Sequence, residues 1–193
     1  MARSGPPALA VAAFCAAGLI AGGCGDERSR AAENGTTIRS TVEVPVAVHA
    51  ARFRRALKRQ DLVGTLAFPH LGETEPIRAG FDQRTIDRGP SWYPGSSLPG
   101  AGRLVYLAGH HRSHGGPFGK VARLRVGDDV IMRVPYAEVT YTVTRRELIS
   151  ERDMSVLRSP KHEVLRLQTS TAPASDRRII VTARRTSITP RRG

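Results

Sequence analysis

The chain has 193 residues, of which 40% are hydrophobic, and its formal net charge at pH 7 is +13. This length leaves room for one domain with a hydrophobic core once a targeting segment and a linker are set aside. The charge comes almost entirely from arginines spread along the chain, and no zinc-finger spacing, RNP-like aromatic pattern or recognition-helix motif accompanies it. We therefore expect no nucleic-acid partner, but a domain that works beside an anionic cell envelope.

An uncharged stretch of small and apolar residues runs from Pro6 to Gly23. It predicts a signal peptide or a membrane or lipid anchor over residues 1–24, and so places the rest of the chain outside the cytoplasm. The run from Ala21 to Cys24 resembles a lipobox, although alanine stands three residues before the cysteine. A lipoprotein, an uncleaved anchor and ordinary cleavage all remain open.

Residues 25–60 are rich in charged and small side chains and are expected to form a linker. A short basic helix is expected over Ala50 to Gln60, interpreted as a solvated spacer beside the membrane. From residue 61 to residue 186, short apolar or alternating runs are broken by Gly and Pro, which is typical of an all-β domain. Residues 187–193 are expected to form a basic C-terminal tail.

Six runs within residues 61–186 have the alternation and the β-branched residues of strands. They are Leu62 to Phe68, Arg103 to Ala108, Asp129 to Val134, Val139 to Arg145, Val164 to Thr169 and Ile179 to Arg184. Their spacing suits a small closed or nearly closed barrel, which leaves few exposed sheet edges. Within residues 61–186, helix is expected only as single turns, around residues 118–124 and 151–157.

Polar residues stand at the ends of three predicted strands: His110, Ser170, and either Arg177 or Arg178. A base, a nucleophile and a cation are the parts that acyl transfer requires. Turn or rim positions are the alternative interpretation, because the residues alone do not establish that they meet. Trp92 is expected in the core or at the rim rather than in a groove.

Two other kinds of site are disfavoured. His110, His111 and His114 form an H-H-x-x-H cluster, but the glycines beside it oppose the helix that would align metal ligands, and no HExxH glutamate is present. A serine hydrolase would carry a G-x-S-x-G elbow, which this chain lacks. No metal and no other cofactor is expected.

An ordered series of motifs resembles the sortase family, and class D and class E sortases in particular. The motifs include Val63-Gly64-Thr65-Leu66, Tyr93 to Gly100, Leu107-Ala108-Gly109-His110, Leu165 to Ser170 and Arg178 to Val181. Each motif is weak alone, but the series spans residues 61–184 in order. The resemblance implies an eight-stranded β-barrel with one or two short helices, held on the outer face of the bacterial plasma membrane as an anchored protein or lipoprotein.

The resemblance also implies an activity. Sortases of these classes cleave a sorting signal similar to Leu-Pro-x-Thr-Gly or Leu-Ala-x-Thr-Gly after its threonine, hold the acyl group on a cysteine and pass it to an amine of the cell wall or a pilin. By position, His110 would be the general acid and base, Ser170 would stand at the nucleophile, and Arg178 would steady the substrate carbonyl. A shift of one residue would exchange Arg178 with Arg177.

Ser170 departs from the family, in which this position is cysteine, and the two cysteines of the chain lie in the N-terminal apolar segment. An unperturbed thiol ionises at about pH 8.5, so a cysteine can be partly ionised before it attacks. A serine hydroxyl stays protonated and therefore needs a base that a third group orients. Asp82 and Asp176 are available for that role. We expect transpeptidation that is slower by orders of magnitude or absent.

Three hypotheses remain open at this point. The chain is a sortase-family transpeptidase with weak activity, or a catalytically silent envelope protein that binds a peptide, a pilin-like substrate or a partner sortase. The third hypothesis is an ordinary active transpeptidase, in which Ser170 was introduced to trap substrate or is a sequence error.

Overall fold

The computed structural model describes residues 45–171 and 175–191. The segment interpreted as a signal or anchor and most of the expected linker lie outside the described residues. In the ranges that are described, none of the helices has the length and apolar character needed to cross a membrane.

Eight strands make up the sheet. In chain order they are β1 (Leu62–Phe68), β2 (Glu73–Ala79), β3 (Ser91–Trp92), β4 (Leu104–Ala108), β5 (Asp129–Val134), β6 (Ala137–Ser150), β7 (Val164–Ser170) and β8 (Arg177–Pro190). They close into a barrel in the order β1-β2-β3-β4-β7-β8-β6-β5. The pairs β2/β3 and β4/β7 are parallel, and the other pairs are antiparallel. The predicted all-β barrel is confirmed.

The helical elements are few and short. Two α-helices, α1 (Val46–Ala56) and α2 (Gln83–Ile86), accompany the 3-10 turns Pro69–Leu71, Val121–Arg123 and Met154–Leu157. The last two turns fall within the single turns expected around residues 118–124 and 151–157. Helix α2 begins after Asp82, whose side chain accepts hydrogen bonds from the backbone N–H and the hydroxyl of Thr85 at 3.3 and 2.8 Å.

All six strands expected from the alternation are present, and β1 and β5 have the predicted ends. Strands β2 and β3 were not among the six. The sequence of β2 carries two glutamates and Pro76, which disfavour strand formation, and β3 has only two residues. Strand β8 continues to Pro190, where it pairs with Ala137, so residues 187–190 lie in the barrel beyond the domain end expected at residue 186.

Helix α1 packs on the barrel. Ala50 is 2% exposed, and the ring of Phe53 lies edge-on to that of Tyr136 at 5.8 Å between centroids. Arg54 donates hydrogen bonds to the carbonyls of Pro94 and Ser96 at 2.6 and 2.7 Å. The interpretation of this helix as a solvated spacer is wrong, because its apolar face is covered by the barrel.

The core fills the barrel and surrounds β4, whose five residues are all buried. The continuous apolar run LVYLA is what a strand buried on both faces requires. Trp92 is buried, as expected, and its indole N–H donates to the Ser97 carbonyl at 2.9 Å. The burial of β4 and its neighbour β7 gives a rigid support to the residues that follow these two strands.

A buried carboxylate holds the loop before β4. Glu163 is 3% exposed and accepts hydrogen bonds from the Tyr141 hydroxyl at 2.7 Å and from the backbone N–H groups of Gly100 and Gly102 at 3.1 and 2.9 Å. Burial, together with the nearby Glu163 charge, holds the pKa of Tyr141 well above its usual value. The hydroxyl therefore stays protonated and remains a donor to Glu163.

Candidate functional site

Strand pairing brings the three expected site residues to one end of the barrel. Ala108 of β4 pairs with Gln168 of β7 in parallel, and His110 and Ser170 each follow two residues later, so the two strands end side by side. Ser170 in turn lies opposite Arg178 in the antiparallel pairing of β7 with β8. Residues 60 positions apart in the chain thus become neighbours through register alone.

His110, Ser170 and Arg178 line one pocket with a volume of about 480 Å³. This volume is within the range of small-ligand sites and can take a few residues of a peptide. Arg178 lines the pocket, whereas Arg177 is exposed and does not. The other lining residues are Gln83, Ile86, Ala108, Gly109, Ser113, Glu151, Gln168, Thr169, Ser175 and Asp176.

The imidazole of His110 is held by a carboxylate that the sequence argument did not consider. His110 Nε2 lies 2.8 Å from Asp87 Oδ1, and Gln83 Nε2 donates to the same oxygen at 2.6 Å. The hydrogen bond from His110 lowers the pKa of Asp87 below its usual value, and the bond from Gln83 adds to this effect. An ionised Asp87 fixes the ring orientation and would stabilise the protonated ring.

Asp82 and Asp176, the two carboxylates that the sequence offered as partners of His110, are not the residues bonded to its ring. Asp82 caps α2, and Asp176 lines the pocket, where its backbone carbonyl accepts from the Glu151 N–H at 2.6 Å. The sequence signal for Asp87 is its helical spacing from Gln83, which predicts their mutual contact. Nothing in that spacing pointed to His110, which lies 23 residues further along the chain.

The guanidinium of Arg178 is fixed at the pocket wall by a second unanticipated carboxylate. Its Nη2 lies 2.7 Å from Glu151 Oε2, and its Nη1 donates to the backbone carbonyls of Ser175 and Arg177. The side chain remains 23% exposed on the pocket side. Glu151 offsets part of the positive charge while it holds the planar group in place.

Ser170 ends β7 with its side chain half-buried. The hydrogen-bond partner of the His110 ring is Asp87 and not the Ser170 hydroxyl. The site therefore contains a base with its orienting carboxylate, a hydroxyl and a fixed cation, but without a bond between base and hydroxyl. Catalytic hydrogen bonds are often long without substrate and tighten in the complex.

His114 joins the same cluster, whereas His111 does not. The rings of His110 and His114 stack with centroids 4.7 Å apart, and His114 Nδ1 lies 3.7 Å from Asp87 Oδ1. One donor atom from each of these three residues lies within 4.8 Å of the others, and they are the described residues that could hold a metal ion. The sequence argument rejected a helical H-H-x-x-H site, and the histidines instead lie on a loop.

The chain was compared with known proteins. Residues 66–186 match the family of domains described as the sortase domain. Over 94 residues, 49% of the chain, it is 26% identical to sortase D of Bacillus subtilis (strain 168), and the match spans 46% of that relative.

Solved sortases have similar folds. Sortase E of Streptomyces avermitilis has a TM-score of 0.62 and 25% identity, over 69% of this chain and 93% of that one. Sortase C of Clostridium perfringens, determined with the C-terminal cell wall sorting motif, has a TM-score of 0.63 and 20% identity, over 68% and 74% of the two chains.

Proposed function

The chain belongs to the sortase family, and from this premise we propose that it is a class D/E-like, extracytoplasmic transpeptidase of low activity. It binds a sorting signal similar to Leu-Pro-x-Thr-Gly or Leu-Ala-x-Thr-Gly and transfers the acyl group to an amine of the cell wall or of a pilin. Ser170 takes the place of the nucleophilic cysteine. The N-terminal segment, residues 1–24, attaches the domain to the plasma membrane.

The observation that carries this proposal is the shared pocket of His110, Ser170 and Arg178, with Asp87 bonded to the histidine at 2.8 Å. A serine nucleophile requires a general base whose tautomer and orientation are held by a third group. Asp87 supplies that group for His110. The peptide partner is supported by the sortase C structure, which contains a sorting motif.

The reaction follows from these groups. The Ser170 Oγ forms a bond to the threonine carbonyl carbon of the signal while its proton passes to His110, and Arg178 donates to the carbonyl oxygen. The carbon–nitrogen bond to glycine then breaks, and the leaving amine takes the proton from His110. An acceptor amine attacks the resulting ester, gives its proton to His110, and Ser170 regains its proton as the ester bond breaks.

The low rate has a chemical cause. A cysteine beside a cation is partly ionised before it attacks, whereas the Ser170 hydroxyl must lose its proton during attack. The His110 ring must also approach Ser170 while it keeps its bond to Asp87. Both requirements raise the barrier relative to a thiol in the same place.

The test compares the full chain with two variants, using a fluorogenic sorting-signal peptide and an amine acceptor. Ser170→Cys is expected to raise turnover at least about 100-fold, and Ser170→Cys/His110→Ala to abolish the gain. Ser175→Cys is the matched control, because it places a thiol at a different position of the same pocket. This variant should give no turnover. No turnover with Ser170→Cys would contradict the proposal.

A second candidate function is a catalytically silent peptide-binding protein of the envelope. It is favoured by the way the site groups bind each other, His110 to Asp87 and Arg178 to Glu151. Peptide binding that is equal in the parent chain and in Ser170→Cys, without turnover in either, would support this candidate over the first.

A further inference from the structure

We propose that Asp87, His110 and His114 form a binding site for a divalent transition-metal ion, with Zn²⁺ as the best fit. Each residue contributes one donor atom: a carboxylate oxygen, Nε2 of His110 and Nδ1 of His114. Two of the ligands come from the loop after β4, and the third follows α2. The site lies at the edge of the pocket that contains Ser170.

The distances suit a metal ion. Zinc binds imidazole nitrogen and carboxylate oxygen at about 2.0–2.1 Å, so neighbouring ligand atoms of a tetrahedral site lie about 3.3–3.4 Å apart. The Asp87 oxygen lies 2.8 Å from the His110 nitrogen and 3.7 Å from the His114 nitrogen. These values lie on either side of the tetrahedral spacing. The three donor atoms lie within 4.8 Å of one another, so rotation of the side chains would bring them around one ion.

The ligand types indicate the class of ion, and their exposure allows the ion to enter. Two imidazoles and one carboxylate suit Zn²⁺, Cu²⁺ or Ni²⁺, whereas Mg²⁺ and Ca²⁺ prefer oxygen ligands. The side chains of His110, Asp87 and His114 are 21%, 30% and 47% exposed, so an ion can enter from solvent without unfolding. Three protein ligands leave a fourth position for water or another ligand.

Groups outside the ligand set hold the ligands in position. Gln83 donates to the ligating oxygen of Asp87 at 2.6 Å, and such outer contacts orient metal ligands. His114 adopts a left-handed backbone conformation with φ of 51°, followed by Gly115 at 80° and Gly116 at 59°. This tight turn brings the His114 ring back over His110.

Metal binding would remove the His110 imidazole from proton transfer. This consequence rests on the proposed function, since it assumes that His110 is the general base. The binding itself does not, because it depends only on the three donor atoms. A direct binding measurement therefore separates a failure of the metal site from a failure of the transpeptidase proposal.

The experiment is calorimetric titration of ZnCl₂ into the full chain, purified without a histidine tag. His114→Asn and Asp87→Asn are each expected to weaken Zn²⁺ binding at least about tenfold, since loss of even an outer contact costs about 10–100-fold. Asparagine tolerates the left-handed backbone of His114, so this substitution removes the ligand without new strain. His162→Asn is the matched control on an exposed histidine outside the cluster.

The control should keep the affinity of the parent chain within about twofold, and MgCl₂ should give no heat of binding at the same concentrations. Melting temperatures measured without metal verify that each variant is folded. Zn²⁺ affinity that is unchanged in both His114→Asn and Asp87→Asn, or that is lost equally in His162→Asn, would overturn the proposal.

Discussion

At the level of single residues, the contact between His110 and Asp87 bears on whether a serine can act as nucleophile in this pocket. A cysteine paired with a charged histidine needs no orienting carboxylate, whereas a serine does. In the proposed mechanism, Asp87 would meet this need through its contact of 2.8 Å with the ring. Asp87 follows α2, and Gln83 donates to its Oδ1 at 2.6 Å, which holds the carboxylate in position beside the ring.

Asp87→Asn should therefore affect the serine and cysteine forms of the site differently. We expect it to lower any turnover supported by Ser170 by about 100-fold or more, and that of Ser170→Cys by less than about tenfold, because only the hydroxyl requires the oriented base. Steady-state rates of the four chains with the fluorogenic peptide measure this difference. Equal losses in both forms would show that Asp87 has no specific role in activating serine.

At the scale of elements, the alternation of side chains along β8 selects between two adjacent arginines. Arg178 faces the pocket opposite Ser170, and its guanidinium is held by Glu151. Arg177 is exposed and does not line the pocket. The pairing register of β7 with β8 thus places Arg178, and not Arg177, opposite Ser170, which supports the proposed role of Arg178.

Arg178→Lys and Arg177→Lys form a matched pair for testing that distinction. In the Ser170→Cys background, we expect Arg178→Lys to lower turnover at least about tenfold, because a lysine cannot reproduce the planar donor set. Arg177→Lys should leave turnover within about twofold of that background. The reverse pattern in kcat/KM would mean that the strand register differs by one residue.

At the scale of the whole molecule, the barrel and α1 form one packed unit. Val46, Phe53 and Leu57 pack against the main core cluster, and Ala50 is buried within it. The ring of Phe53 contacts that of Tyr136, which lies in the turn between β5 and β6. The barrel domain therefore includes the helix that precedes β1.

A chain that begins at residue 61 should accordingly be less stable than one that begins at residue 45. We expect its free energy of unfolding to fall by about 3 kcal/mol, from the loss of four apolar side chains that are wholly or partly buried. Urea denaturation followed by circular dichroism measures the difference. Equal midpoints would mean that α1 adds nothing to the stability of the barrel.

The chain's local patterns determined much of the architecture. Alternation of apolar and polar residues located six strands, because the two faces of a strand repeat every second residue and this period is visible in any short window. It did not locate β2, where Pro76 and two glutamates obscure the pattern, or the two-residue β3. The pattern also did not predict that α1 packs on the barrel, because arginines lie among its apolar residues.

The local pattern of residues was enough to predict the fold class and most of the strands, since these depend on neighbouring residues. The contacts of Asp87 with His110 and of Glu151 with Arg178, and the place of His114 rather than His111 in the cluster, are visible only in the folded chain. Contacts between distant residues depend on strand register and on the path of loops. Neither leaves a periodic signal in the chain.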